Sequence, residues 1–138
     1  MKMRFKIMSA ALAVLTMLMC ATLPIQAAVV KPDVEPNWEN TSSIDILFGF
    51  PDDGYAVASI IGDPGVTLII IDIYVYKIFD GAWVYVAGNH TTCYGQVGNA
   101  SCQFTPVKGT YYRADFMFTV TKNGCDEIID KSVYENYI

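Results

Sequence analysis

Two dipeptides, Asp80-Gly81 and Asn123-Gly124, each stand between runs rich in β-branched and aromatic residues. Both accept the left-handed backbone of a two-residue hairpin turn, whose twist matches that of the flanking strands. Each therefore ties two strands together: 66–79 with 82–87, and 110–121 with 126–133. Residues 44–50 form another β-rich run, closed by Pro51-Asp52-Asp53-Gly54, and 55–62 a further one, closed by Asp63-Pro64-Gly65. Residues 91–94 and 99–105 are weaker runs. Short runs broken by turns every eight to a dozen residues predict an all-β fold, an antiparallel β-sandwich or barrel of about seven to eight strands. No stretch beyond residue 27 keeps helical periodicity for three turns. The apolar run 66–79 is too short for a membrane helix, and Asp72 and Lys77 interrupt it.

The N-terminus reads differently. Lys2, Arg4 and Lys6 precede the apolar residues 7–23, Pro24 follows, and Ala27 offers a small residue for cleavage. That order is a secretory signal helix spanning residues 1–27, removed on export. An uncleaved anchor is the rival reading, because the apolar stretch approaches the length of a span. Lipidation at Cys20 is disfavoured by the bulky Met19 before it. Residues 28–43 form a polar leader with two prolines, and residues 44–138 form the sandwich domain. The signal takes three of nine basic residues and none of fourteen acidic ones, so the exported chain carries six against fourteen, a formal charge of −8. Such a chain has no basic patch for nucleic acid and no membrane contact after cleavage. The expected localisation is secreted, in a compartment where disulfides form.

Three cysteines remain in the exported chain: Cys93, Cys102 and Cys125. An odd count predicts one bridge and one leftover thiol. Cys93 with Cys102 would staple a hairpin tipped by Val97-Gly98, with either pairing to Cys125, or no bridge, as alternatives. A cysteine beside the Asn123-Gly124 turn cannot easily reach the others, so Cys125 is the expected free thiol and a route to a disulfide-linked dimer. In that hairpin Lys122 opposes Cys125 and Phe118 opposes Ile129. His90 with Cys93, and the wider cysteine spacings, match zinc geometry only at the first pair. A Cys–His dyad meets the same objection, since His90 is the only histidine and falls in the polar segment 88–92. Asp52-Asp53-Gly54 and Asp63-Pro64 would bind calcium if they met at one end of a sandwich, but turn chemistry explains both. No nucleophile elbow, zinc-protease motif, phosphate loop or dinucleotide fingerprint occurs. The expectation is therefore no catalytic residue, no metal and no cofactor. Asn40, Asn89 and Asn99 begin glycosylation sequons, which the short lysine-rich signal, bacterial in character, leaves idle.

The aromatic residues give the clearest functional signal. A two-residue turn at Asp80-Gly81 sets Ile78 opposite Trp83, Tyr76 opposite Tyr85 and Tyr74 opposite Ala87. Opposed residues share a face. One face then carries Tyr74, Tyr76, Ile78, Trp83 and Tyr85, and the other Ile69, Ile71, Ile73, Val75, Val84 and Val86. The aliphatic face is the natural core, which turns the aromatic face, with Asp72 on it, outward. Exposed aromatic sheet faces grip glycans or proteins. The alternatives are that both faces are covered, or that Trp83 is the core tryptophan of the sandwich.

Several segments together carry a family resemblance: Thr67, Ile69 and Lys77, then Asp80-Gly81-Ala82-Trp83, then Gly109-Thr110-Tyr111-Tyr112-Arg113-Ala114, then the F-x-V-T-K-N-G-x-x-E stretch from Phe118 to Glu127. Over roughly residues 44–129 the chain resembles a group of small secreted proteins of Gram-positive gut bacteria. The resemblance implies an immunoglobulin-like sandwich and a habitat. It carries over no activity and no site residue. The leading expectation is a secreted, non-enzymatic binding module for an extracellular glycan or protein, through Tyr74, Tyr76, Trp83 and Tyr85. A bacteriocin-like antagonist of neighbouring bacteria is the second reading. A small enzyme using Cys125, Cys93 or His90 is the third. Mass spectrometry of the exported protein is expected to give Ala28 as the first residue; a retained Met1 would establish the anchor reading instead.

Overall fold

The computed structural model describes residues 27–29 and 38–138. Residues 1–26 of the expected signal helix and most of the leader lie outside them, whereas the expected cleavage junction, Ala27-Ala28, falls inside a described strand. Eight strands follow in order: β1 (Ala27–Val29), β2 (Thr41–Gly49), β3 (Gly54–Gly62), β4 (Val66–Phe79), β5 (Ala82–Tyr94), β6 (Val97–Phe104), β7 (Thr110–Lys122) and β8 (Cys125–Tyr137). They form two antiparallel four-stranded sheets, ordered β1-β2-β3-β6 and β5-β4-β7-β8. No helix occurs among the described residues. The sheets face each other over one core, to which β2, β3 and β6 contribute Ile44, Ile46, Phe48, Ala56, Ala58, Ile60 and Cys102, and β4 and β7 contribute Ile69, Ile71, Ile73, Val75, Phe116 and Phe118.

Alternation explains this packing. In β7 the odd positions 113, 115, 117 and 119 are half-buried, while Tyr112, Ala114, Phe116, Phe118 and Val120 are buried. A period of two on a pleated strand sends one set to the core and the other to the opposite face. At one end of the core an aromatic group closes the sandwich. Phe50 lies edge-on to Phe48 and Phe104, with centroids 5.4 and 6.0 Å away, and 5.2 Å from Tyr112. Tyr112 also fixes the corner between β6 and β7, because its hydroxyl accepts a hydrogen bond from the Val107 backbone N–H at 2.8 Å.

Both hairpin turns form as the sequence predicts. Asp80 and Gly81 have φ of 50° and 77°, and Asn123 and Gly124 have 53° and 72°. Lys122 opposes Cys125, and the buried Phe118 opposes Ile129. Other expectations need correction. The runs 82–87 and 91–94 are one strand, β5, so His90 lies in a strand rather than a polar segment. A bulge in β5 leaves Val86 unpaired, which puts Tyr74 opposite Gly88 instead of Ala87. Strand pairing reaches into the expected signal and leader: Ala27, the last signal residue, and Ala28 and Val29 of the leader pair with β2, which begins at Thr41 rather than residue 44.

Glu127 on β8 accounts for that earlier start. Its carboxylate accepts hydrogen bonds from the backbone N–H groups of Glu39 and Asn40 and, at 2.8 Å, from the Thr41 hydroxyl. The Asn40 amide donates to the carbonyls of Val120 and Cys125 at 3.0 and 3.2 Å. Trp38 packs partly buried against the core, with the Lys131 ammonium 5.7 Å from its ring centre. The chain is thus pinned across the two sheets before β2 begins.

The turn chemistry makes a checkable demand. A Cβ at Gly124 would meet nothing within 4 Å, so Gly124→Ala adds only the cost of positive φ. Thermal or denaturant unfolding is expected to show a loss of about 1–2 kcal/mol, the usual cost of holding a non-glycine residue left-handed. An unchanged stability would mean that the turn is not of this type.

Candidate functional site

The outer face of the β5-β4-β7-β8 sheet is built by register. Tyr85, Tyr76, Arg113 and Tyr134 form one row across its four strands. Beside it Trp83 pairs with Ile78, and Tyr111 pairs with Asn136. The predicted separation of faces on β4 is present. Ile69, Ile71, Ile73 and Val75 are fully buried, whereas Tyr85 is 58% exposed and Tyr74 and Ile78 lie near 40%. Tyr76 and Trp83 are half-buried, so Trp83 is not the core tryptophan. The far end of the aliphatic face departs from expectation: Val84 is exposed and Val86 only partly buried. The tip of the β4–β5 hairpin overhangs the core there, and Phe79 is exposed with it.

The rings form a connected surface cluster. Trp83 and Tyr134 sit three strands apart, about 14 Å at ordinary strand spacing. Their ring centres are nevertheless only 6.0 Å apart, and Trp83 lies 5.8 Å from Tyr111. The indole therefore leans across β4 and β7. Tyr111 and Tyr134 stack at 6.2 Å, and Tyr76 meets Tyr85 edge-on at 6.1 Å. Arg113 is held between two of these rings, its guanidinium carbon 4.6 Å from the Tyr76 centre and 4.8 Å from that of Trp83. Its Nε lies 3.1 Å from Asp115 Oδ1, in ion-pair range but without the alignment of a hydrogen bond. Ser132 donates its hydroxyl to the same Asp115 oxygen at 2.8 Å. Gly88 leaves room for the cluster, since a Cβ there would come within 2.7 Å of the Tyr85 hydroxyl and 3.3 Å of the Tyr74 ring.

Arg113, Tyr111 and Tyr134 are not among the binding residues expected from the sequence. The signal is available there all the same: carrying the Asn123-Gly124 register back along the hairpin places Arg113 opposite Tyr134 and on the face away from Phe116. Asp72 also behaves unexpectedly. It lies on the outer face but is buried, because the exposed His90 covers it and meets its Oδ1 through Nδ1.

The cysteines do not pair as expected. Cys93, Cys102 and Cys125 are all free thiols. Strands β5 and β6 part into different sheets, and the Cys93 sulfur lies 3.9 Å from the Asn99 carbonyl, three residues short of Cys102. Three residues of strand span about 10 Å, beyond the roughly 7 Å that a disulfide tolerates between Cα atoms. Cys102 is buried opposite Ala56, and burial pushes its thiol pKa up. Cys125 is exposed at its turn, as expected. His90 and Cys93 differ by an odd number of positions on one strand, and Cys93 packs against the core while His90 faces outward, so no dyad or zinc pair forms between them. No cluster of three or more His, Cys, Asp or Glu fit to hold a metal occurs among the described residues. The acidic turns at Asp52-Asp53 and Asp63 close opposite ends of β3, so they cannot share a calcium ion. Of the sequons, Asn40 is buried, while Asn89 and Asn99 are exposed on strands.

No family model matches this sequence, and no curated protein matches it. Among solved structures, a protein from Archaeoglobus fulgidus aligns with 69% of this chain and 94% of its own length, at 12% identity and a TM-score of 0.40.

Alkylation under native conditions is expected to modify Cys125 first and Cys102 last, as exposure and the raised Cys102 pKa dictate. Because that folded pKa is raised, the stability tied to the neutral thiol is present below the ordinary thiol range. It falls as pH climbs through the folded value. Peptide mapping that found a Cys93–Cys102 bridge in the oxidised protein would overturn this arrangement.

Proposed function

We propose that this chain is a secreted, non-enzymatic β-sandwich module that binds an extracellular glycan or protein through the outer face of the β5-β4-β7-β8 sheet. The observation that carries the proposal is the aromatic cluster around Arg113. Large rings left partly exposed on a sheet face are a common means of gripping partners, since they offer contact area at small entropic cost. Contacts among Trp83, Tyr111 and Tyr134 fix the rings before any partner arrives, which lowers the cost of binding further. Tyr74, Tyr76, Trp83 and Tyr85 are the binding residues expected from the sequence, and Tyr111, Arg113 and Tyr134 join them. Export rests on the basic, apolar and small-residue order of residues 1–27. A bacterial habitat rests on the resemblance alone. The exposed Cys125 extends the proposal to a disulfide-linked dimer.

The finer fold assignment belongs to the same proposal. An immunoglobulin-like sandwich places its third and sixth strands side by side in one sheet and its second and fifth in the other. Counted from β2, that is the neighbouring of β4 with β7 and of β3 with β6. Such domains also carry a tyrosine near the start of the sixth strand, its hydroxyl bonded to backbone a few residues upstream. Tyr112 stands there, bonded to Val107.

The test is tryptophan emission in a Trp38→Phe background, which leaves Trp83 as the reporter. Titration with soluble glycans and with cell-envelope extract is expected to quench or shift Trp83 emission. Trp83→Ala is expected to weaken binding by about tenfold or more, the scale of a lost aromatic anchor. Full-strength binding by Trp83→Ala, or an unmoved spectrum with every partner, would refute the reading.

A further inference from the structure

Arg113 is the only lysine or arginine among the outward register positions of β4, β5, β7 and β8. The acidic residues on that face, Asp72, Asp115, Asp126 and Asp130, lie from the middle of the sheet toward the Asn123-Gly124 end. Tyr76 and Trp83 hold the guanidinium, and Asp115 engages its Nε. Among the described residues no hydrogen-bond partner meets the two terminal nitrogens, while Nε is the buried atom of the group. What remains is a planar two-nitrogen fork, fixed by rings and presented beside the exposed Tyr111 and Tyr134. Such a fork matches the two oxygens of a carboxylate.

We infer that the aromatic face recognises a carboxylated glycan, with the acid group of a sugar unit on Arg113 and adjoining sugar rings stacked on Tyr111, Tyr134 and Trp83. This rests on the binding role proposed above and names the ligand class for that same face. Backbone placement favours a glycan over a peptide strand. The site lies on a sheet face, and the central strands β4 and β7 are hydrogen-bonded on both sides, so they offer no free ladder to an added strand. Recognition there falls to rings, to the fork and to side chains such as Asn136 and Ser132. The net negative charge of the chain does not oppose this, because charges beyond roughly 8 Å are screened at physiological salt.

The test measures affinity of the exported protein for polygalacturonate oligomers and sialyllactose, and for their neutral counterparts, carboxyl-reduced polygalacturonate and lactose. At least one acid is expected to bind at least about tenfold more tightly than its neutral counterpart, the scale of one charge-assisted hydrogen-bonded pair. Arg113→Lys keeps the charge but removes the fork, and is expected to bring that ratio near unity. Equal binding of acid and neutral forms by the parent protein overturns the inference and leaves the broader binding role standing. Binding of none of the four overturns it too, and the tryptophan titration with envelope extract then decides the broader role separately. The parent comparison needs no variant, so a poorly folding Arg113→Lys protein does not shelter the claim.

Discussion

Strand β4 is hydrogen-bonded to β5 on one side and β7 on the other, so its ladder groups are committed and its side chains alone distinguish its two faces. Ile69, Ile71, Ile73 and Val75 have no exposed surface. Each such side chain contributes on the order of 2–3 kcal/mol when taken from water. A slip of one residue would carry all four to the outside and bring Asp72, Tyr74 and Tyr76 into the core. That penalty locks the register, and the locked register is what holds the aromatic residues on the outer face. The outer aromatic surface is in this sense a by-product of core burial: the same alternation that builds the interior selects what the exterior displays.

How far the sequence reveals this depends on how local the cause is. Asp80-Gly81 and Asn123-Gly124 announce their turns because the backbone demand falls on the two residues themselves. The span of β4 is legible for a similar reason, since its composition and its flanking turns agree. The start of β2 is not legible, because Glu127, more than eighty residues away, gathers the donors of residues 39–41. The bulge at Val86 is equally silent: nothing in residues 82–88 fixes it, and it moves the partner of Tyr74 by one position. The cysteine pairing fails because two strands adjacent in sequence enter different sheets, a global fact with no local mark. Arg113 is a different case, since its place follows from extending the Asn123-Gly124 register to the far end of the same hairpin.

The surface cluster also has an internal logic. A cation between two aromatic faces is worth roughly 0.5–2 kcal/mol. Asp115 offsets part of its charge, and Ser132 orients Asp115. Gly88 contributes by lacking a side chain, since a methyl there would displace the Tyr85 hydroxyl and press on the Ile73 carbonyl. The pinning of residues 39–41 by Glu127 lies at the other end of the sandwich, close to Val66 and the Asn123-Gly124 turn. The Glu127 clasp and the aromatic display thus occupy opposite ends of one sheet, with the Phe50–Tyr112 closure of the core at the display end.

The central claim is that the outer aromatic face is where this protein meets its partner. Residue-by-residue chemical-shift mapping during titration of the labelled protein with envelope extract, and with whichever oligosaccharide of the affinity series binds, tests it most directly. The account predicts that the Trp83 indole and the backbone of Tyr76, Arg113 and Tyr134 move first and farthest, with the buried Ile71 and Phe118 unmoved. Shifts confined to the 51–54 turn, to Trp38 or to the β1-β2-β3-β6 sheet would contradict it.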